Sequence, residues 1–382
     1  MNRRRFLRAG CGCSLAALAG VALAQDPWQV PPRFARPEKA SDEGGLWAMM
    51  DREETKLRRS PFNLRDPQLQ PYIQQIACRL GGAHCPDIRV YLVRTPYFNA
   101  SMAPNGMMQV WTGLMLRVDN EAQLAAVLGH EIGHYMERHS LERLRAAKSS
   151  SAVGQFLGMF GVVGLLGSAG LVAGMYAYSR DNERDADRIG ALLMHDAGYD
   201  IAEAAKVWGN LMLEAQARPD GGSRNALFAS HPPSDERQAT LAELAASHPG
   251  GGTNEEAWQQ KTAPFLRQWL QDEVKRGQHE ESIALLTRAA GRPAGKAEYL
   301  CARGEVYRLR AAEGDLDAAL KDFRAAAALG NEPPETHRGL GLVYRATRHA
   351  PEARTSFERY LQLAPDAADG PMIRNYLQEL SV

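Results

Sequence analysis

One helix with two histidines four residues apart constrains this chain more than any other feature. Residues 119–140 read DNEAQLAAVLGHEIGHYMERHS, and the alanines and leucines in this stretch favour helix. Asn120 is placed to cap the helix start, with Gln123 reaching back from the third helical position. Residues four apart on a helix share one face, so His130 and His134 point in the same direction.

This spacing predicts a metal site. Two imidazoles one helical turn apart suit a tetrahedral zinc ion, while Glu131, rotated by about 100°, can reach a zinc-bound water. His130-Glu131-Ile132-Gly133-His134 is therefore the H-E-x-x-H motif of a zinc hydrolase, with one Zn²⁺ per chain. The alternative is a chance pentapeptide with surface histidines, and the helical context argues against it.

Composition is that of a folded protein with two or three domains. The chain has 382 residues, of which 45% are hydrophobic and 24% are charged. Its 45 basic residues balance its 45 acidic ones. Because the chain has no excess of basic residues, no nucleic-acid partner is expected.

The first 24 residues have the layout of an export signal. Four arginines within residues 3–8 precede an apolar run that ends in small residues at Ala22 and Ala24, and this run is too short to span a membrane. The order Arg-Arg-x-Phe-Leu-Arg resembles the twin-arginine type, with an ordinary signal as the alternative. We expect cleavage after Ala24 and a periplasmic location.

Three cysteines remain after that cleavage. Cys78 and Cys85 flank a Gly-Gly turn, and in an oxidising compartment they are expected to form a short disulfide, leaving Cys301 unpaired. A metal site that includes His84 is the alternative.

A helix and a small sheet are predicted before the metal helix. After an N-terminal arm, residues 25–65, a helix with Pro67 at its first position is expected to end at Gly81. Alternating residues then predict a strand near 88–93 and a hairpin around Pro104-Asn105-Gly106. An exposed strand edge beside a metal can hold an extended polypeptide by backbone pairing. A plain edge hairpin is the alternative.

Residues 149–179 form a stretch without a single charged residue. Its composition suggests a membrane segment. A single span, however, would place ligands that precede and follow it on opposite sides of a bilayer. We therefore expect two short helices that cover the site, with peripheral membrane contact or buried packing as the alternatives.

The next helix offers a third ligand. Glu183 and Asp187 lie one turn apart on one face, which suggests one ligand and one carboxylate that holds a ligand histidine by its other nitrogen. A solvated acidic helix start is the alternative. His139 is expected to point to the far side of the helix that carries His130 and is excluded as a ligand. His195 is a rival near the far end of the acidic helix.

These motifs resemble a known family over roughly residues 66–245. H-E-x-x-H followed by Glu183-x-x-x-Asp187 is similar to the zinc peptidase family that contains the CAAX prenyl endopeptidase, HtpX and the periplasmic beta-barrel assembly-enhancing protease. Further similar segments are Asn99-Ala100 in the substrate strand, Thr112-Gly113-Leu114 before the metal helix, and His231-Pro232 with Arg237. Gln238 departs from the family pattern, in which an apolar residue usually follows the arginine.

The resemblance implies a mainly α-helical, zincin-like α+β domain with a small sheet, over residues 66–248, that cleaves polypeptide substrates. The site residues it implies are the ligands His130, His134 and Glu183, the supporting Asp187, the base Glu131, and the lining residues His231 and Arg237. His231 is a candidate fourth ligand, and either His231 or Arg237 is a candidate oxyanion donor. No transmembrane helix is expected, which aligns the chain with the exported branch of the family.

Residues 263–382, after a linker at 249–262, carry an internal repeat. Ala319 and Phe323 precede Ala353 and Phe357 by 34 residues, the tetratricopeptide period. Such helix pairs stack into an all-α solenoid with a concave surface for polypeptide, so a protein partner is expected, with outer-membrane assembly machinery as a candidate. A structural cap on the enzyme is the alternative.

Two functions stay open at this point. One is an exported zinc endopeptidase that acts on unfolded or misassembled envelope proteins. The other is a non-proteolytic chaperone or scaffold with a structural zinc and binding repeats. Four protein ligands would favour the second, because a catalytic zinc keeps one position for water.

Overall fold

The computed structural model describes residues 28–146, 178–218, 231 and 235–380. The chain divides into two units, Met1–Pro31 and Pro32–Val382. In the first unit the described residues, 28–31, have no regular secondary structure. The predicted export signal and nearly all of the uncharged stretch 149–179 lie outside the described residues. Within the described parts of the chain, each helix is too short or too polar to cross a membrane.

The second unit opens with a helix in the segment that we expected to be an arm. Helix α1 (Asp42–Arg59) is capped by Ser41, whose side chain accepts a hydrogen bond from the backbone N–H of Gly44. Its buried face, which includes Leu46 and Met50, packs against the sheet. The expectation of an arm over residues 25–65 missed this helix.

A small mixed sheet contains the predicted strands and one further strand, β1, that was not predicted. The strands are β1 (Asn63–Leu64), β2 (Arg89–Val93), β3 (Ala100–Met102) and β4 (Met107–Trp111), in the order β1-β2-β4-β3. Strands β3 and β4 pair antiparallel, as predicted for the hairpin, while β2 and β4 are parallel. Gly106 turns the hairpin with φ +86°, and a Cβ there would lie 2.1 Å from the Asp87 carbonyl oxygen. Glycine is therefore required at this turn.

Seven helices of the described chain follow or surround this sheet. They are α2 (Leu69–Gly81), α3 (Thr112–Arg117), α4 (Glu121–Met136), α5 (His139–Ala146), α6 (Arg180–Asp196), α7 (Ala202–Gln216) and α8 (Asp235–Ser247). Helix α2 begins later than predicted, because the Asp66 side chain accepts from the backbone N–H groups of Gln68 and Leu69 and holds Pro67 in a turn.

Helix α4 is the centre of this domain, and all its residues are buried. Asn120 caps it as predicted, while the Gln123 side chain reaches back to the backbone N–H of Asp119. Helix α6 crosses α4 where both helices carry glycine. A Cβ on Gly190 would lie 2.8 Å from the backbone nitrogen of His130. This close approach brings the side chains of the two helices to a common point.

The predicted disulfide is present. Cys78 and Cys85 are bonded, with an S–S distance of 2.03 Å, and Cys301 is a free, buried thiol. The disulfide excludes these two cysteines as thiolate ligands of a metal site with His84. His84 is buried against the ring of Tyr135 instead.

In the described residues after 254, the regular secondary structure is all helical. The helices are α9 (Glu255–Arg276), α10 (His279–Ala289), α11 (Lys296–Arg310), α12 (Asp315–Ala327), α13 (Glu335–Ala346), α14 (Ala350–Leu363) and α15 (Gly370–Glu379). Phe323 and Phe357, 34 residues apart, are each fully buried against a glycine of a neighbouring helix, Gly339 and Gly341 respectively. The tetratricopeptide assignment itself stays a prediction.

The junction between the two parts is packed. Helix α9 begins at Glu255, inside the segment expected to be a linker. The buried Arg117 of α3 pairs with Glu214 of α7 at 2.7 Å and with Glu273 of α9 at 3.0 Å. From residue 255 onward the expected linker is therefore helix, and this helix is joined to α3 and α7 through a buried charge network.

Candidate metal centre

Four predicted site residues converge on one point. His130 and His134 of α4, Glu183 of α6 and His231 each offer one ligand atom, and these atoms all lie within 4.8 Å of one another. All four residues are buried. The helical periodicity of α4 and α6 sets the first three positions, and the fold brings His231 to them from a separate segment.

The nitrogen atoms of this cluster face one another at short range. His130 Nε2 lies 3.1 Å from His134 Nε2 and 3.1 Å from His231 Nδ1. Glu183 Oε1 lies 2.9 Å from His231 Nδ1 and 3.4 Å from His134 Nε2. Several lone pairs directed at one point are the arrangement that a cation stabilises.

Asp187 holds His130 from outside the cluster. Its Oδ1 atom lies 2.9 Å from His130 Nδ1, and both of its oxygens accept hydrogen bonds from Arg237, at 2.6 and 2.8 Å. A neutral His130 that donates from Nδ1 to this carboxylate leaves the Nε2 lone pair free for a metal. Arg237 also pairs with Glu183 at 2.7 Å, and its guanidinium lies over the Trp208 ring.

His134 is held by two residues that the sequence analysis did not assign to the site. His134 Nδ1 lies 2.9 Å from His139 Nδ1, and the Tyr178 ring stacks on the His134 ring with centroids 3.9 Å apart. We expected His139 to point away because we assumed a continuous helix. Helix α4 ends at Met136 instead, and Arg138 adopts φ +57°, which interrupts the helix before α5 begins at His139. No local sequence signal predicts this positive φ.

Glu131 lies beside the cluster. Its Oε1 atom is buried and has no hydrogen-bond partner in the described chain, and His231 Nε2 lies 3.4 Å away. The backbone N–H of Met102, in β3, faces its carboxylate. Burial raises the pKa of Glu131 above its ordinary value, although His231 and His130 oppose this shift. The unpartnered oxygen is placed to accept a proton.

The histidines around Glu183 favour the ionised form of its carboxyl group. Burial alone would raise its pKa, but His231, His134 and His130 together lower it well below the ordinary value. Burial lowers the pKa of His231, but the nearby carboxylates of Glu183 and Glu131 outweigh burial and raise this pKa above its ordinary value. Burial lowers the pKa of His134, so this imidazole is neutral. A neutral His134 and an ionised Glu183 are in the protonation states that bind a divalent metal.

Comparison with known proteins agrees with this geometry. Residues 63–245 match the profile described as Peptidase family M48. These residues are a peptidase family M48 domain. The match confirms the family resemblance drawn from the motifs, and it ends within α8.

Individual proteins similar to the M48 domain are named as proteases or metalloproteases. The beta-barrel assembly-enhancing protease of Escherichia coli (strain K12) is 29% identical over 201 residues, 45% of this chain and 41% of that protein. Metalloprotease YcaL of the same strain is 33% identical over 167 residues, 42% of this chain and 63% of that protein. Mitochondrial metalloendopeptidase OMA1 of Arabidopsis thaliana is 30% identical over 154 residues, 40% of this chain and 31% of that protein. The matches thus cover between about a third and two thirds of these relatives.

The M48 domain places the predicted substrate strand beside Glu131. The Asn99 carbonyl oxygen accepts from the backbone N–H of Trp111, and the backbone N–H of Ala103 donates to Met107. Because backbone groups alternate along an antiparallel pair, those of Ala100 and Met102 face away from β4. Strand β3 packs against helix α4, and the backbone N–H of Met102 faces the Glu131 carboxylate. Ala100 therefore presents its backbone on the side where Glu131 lies.

Proposed function

We propose that this chain is an exported zinc-dependent endopeptidase that hydrolyses peptide bonds of unfolded or misassembled envelope proteins. The observation that carries the proposal is the convergence of His130, His134 and Glu183 next to the unpartnered oxygen of Glu131. The M48 family match and the metalloprotease relatives support it.

The ligand set suits zinc. Two imidazole nitrogens and one carboxylate oxygen are the protein ligands of many catalytic zinc sites. When bound, zinc polarises the scissile carbonyl and lowers the pKa of a bound water to about 7. His130, held by Asp187, and His134, held by His139, would present fixed lone pairs to the ion. Glu183 would supply the negative ligand.

The chemical step falls to Glu131. Its carboxylate takes a proton from the attacking water and passes it to the leaving amine, which breaks the C–N bond. Burial supports this role, because a raised pKa brings the carboxyl group nearer to the pH at which it can both accept and return a proton.

His231 and Arg237 are proposed to have different roles. The Arg237 guanidinium is bound to Asp187 and Glu183, so it positions these carboxylates rather than serving as an oxyanion donor. His231 is near both Glu131 and Glu183 and is the better candidate to stabilise the oxyanion. It also offers a nitrogen to the centre, and as a fourth ligand it would have to move aside before water could bind.

The substrate is proposed to bind as an extended strand. The backbone groups of Ala100 that face away from β4 can pair with a polypeptide whatever its sequence, and Asn99 precedes this strand. Only unfolded or locally unpaired chain can lie along such an edge. This selects misassembled proteins over compact ones.

The C-terminal helices are proposed to recruit the protein that is cleaved or a partner of it. One relative is named a beta-barrel assembly-enhancing protease, which makes outer-membrane assembly machinery a candidate partner. The proposed location is the periplasm, after cleavage behind Ala24. Peripheral membrane contact through residues 149–179 is part of the same proposal.

Cleavage of casein by the purified mature chain tests this function. We expect cleavage that stops when a chelator removes the metal and returns when zinc is added. The chaperone alternative predicts bound zinc, suppressed aggregation of an unfolded client and intact casein. Intact casein in the presence of one equivalent of zinc would reject the endopeptidase.

A further inference from the structure

The contact between His134 and His139 has a role that the family resemblance did not assign. The two Nδ1 atoms lie 2.9 Å apart, and both side chains are buried, with exposed fractions of 1% and 5%. The ring centroids are 5.0 Å apart and the rings meet at 71°, edge to face rather than stacked. This is a hydrogen bond between imidazoles and not a hydrophobic contact.

Zinc binding by His134 determines which of the two imidazoles donates the proton in this hydrogen bond. If His134 Nε2 binds zinc, as the proposed function requires, its ring is neutral and its proton sits on Nδ1. That N–H can only donate, so His139 Nδ1 must accept with a lone pair, and the His139 proton lies on Nε2. Histidine ligands almost always donate their second N–H in this way, and the acceptor fixes the ring orientation.

We propose that His139 is a positioning residue for the metal, which holds the His134 imidazole in the tautomer and orientation that zinc requires. It does for His134 what Asp187 does for His130, with a neutral acceptor in place of a carboxylate. The site already contains three carboxyl groups, those of Glu131, Glu183 and Asp187, and a neutral acceptor adds no further negative charge.

The backbone holds His139 firmly in this place. Arg138, at φ +57°, pairs with Glu43 and lies over the Phe34 ring, 5.2 Å from its centroid. The following residue, Ser140, shares a hydrogen bond with the Tyr178 hydroxyl at 3.0 Å. Contacts on both sides of His139 therefore fix the turn that points its ring at His134.

Two variants of equal size separate this role from simple packing. Asparagine places an acceptor oxygen where His139 Nδ1 lies, and leucine has the same shape without an acceptor. The test compares His139→Asn with His139→Leu in the full mature chain. His195→Ala removes an exposed histidine outside the site and is the matched control. Zinc affinity is measured by competition with a chromophoric chelator, and the visible spectrum of the cobalt-substituted protein reports ligand geometry.

The expected result is a loss of about 10 to 100-fold in zinc affinity for His139→Leu, with His139→Asn within about threefold of the unchanged protein. The cobalt spectrum should change for leucine and not for asparagine. Thermal unfolding of the metal-free variants shows whether each one folds. Equal affinities for leucine and wild type, or equal losses for leucine and asparagine, would overturn the proposal. A wild-type chain that binds no zinc would instead reject the proposed function, so the two failures are distinguishable.

Discussion

Asp187 Oδ1 lies 2.9 Å from His130 Nδ1, while Arg237 binds the same carboxylate through Nε and Nη2. This places Asp187 behind the histidine. Glu183, one turn earlier on α6, points instead at the nitrogens of His134 and His231. The two carboxylates share Arg237 but face different nitrogen atoms of the histidines, so their removal should have different effects.

We predict that Glu183→Ala lowers zinc affinity far more than Asp187→Ala. Loss of a direct ligand should exceed the roughly 10 to 100-fold loss typical of a group that only orients a ligand. A zinc titration of both variants under one buffer measures the order. The reverse order would mean that the two carboxylates exchange roles when metal binds.

Glu131→Gln should retain zinc and lose hydrolysis. The amide keeps the size of the side chain and leaves every ligand in place, but it cannot accept a proton. We expect turnover to fall by about 10²- to 10⁴-fold, the usual contribution of general acid–base catalysis. Casein cleavage and metal content of the same sample measure the two properties.

Glu137→Gln is the control for this experiment, because Glu137 is an exposed carboxylate just after the end of α4. It should leave both zinc content and cleavage near those of the unchanged protein. Substantial turnover by Glu131→Gln would remove Glu131 as the base.

Glu273→Ala should destabilise the M48 domain although the residue lies outside it. Glu273 is fully buried and pairs with Arg117, Arg276 and the Ser282 hydroxyl. Removal of one partner from a buried ion pair typically costs about 3–5 kcal/mol, because the other charge stays buried. Chemical denaturation measures this as a change in the free energy of unfolding.

Glu379→Ala breaks a half-exposed pair with Arg345 and should cost about 0–1 kcal/mol. Equal small effects of the two variants would show that α9 is dispensable for the M48 domain. A chain truncated near Ala257 lacks Glu273 altogether. We therefore expect its M48 domain to be less stable than the same domain in the full chain, which would not be the case if the two parts folded independently.

Glu54 should make stability depend on pH. Burial raises the pKa of its carboxyl group, but Arg89 and the Tyr91 hydroxyl outweigh this and lower the pKa below 4.5. A lowered folded-state pKa means that the ionised form stabilises the fold above the unfolded-state value. That stability is lost as the pH falls through the folded-state pKa.

We therefore expect Glu54→Gln to lower the free energy of unfolding at neutral pH by about 1–3 kcal/mol, and the difference from wild type to shrink in acid. Denaturation at several pH values measures it. Glu53→Gln, which affects only a surface pair with Lys56, is the control and should show little change at any pH. A constant difference for Glu54→Gln would exclude ionisation as its cause.

Local chemistry in the sequence predicted several parts of this protein. Asn120 and the apolar residues after it define α4, Pro104-Asn105-Gly106 defines the hairpin, and the short Cys78–Cys85 spacing defines the disulfide. Each depends on residues close together in the chain. Helical periodicity also placed His130 and His134 on one face of α4, and Glu183 on one face of α6.

Tertiary structure decided the features that depend on distant or strained backbone. The positive φ of Arg138 turns His139 toward His134, where a continuous helix would have pointed it away. Helix α1 and the burial of Arg117 against Glu273 depend on surfaces that form only when the chain has folded. Periodicity reports which face a residue occupies within its own element. It carries no information on which other element will cover that face, because that depends on packing between segments far apart in sequence.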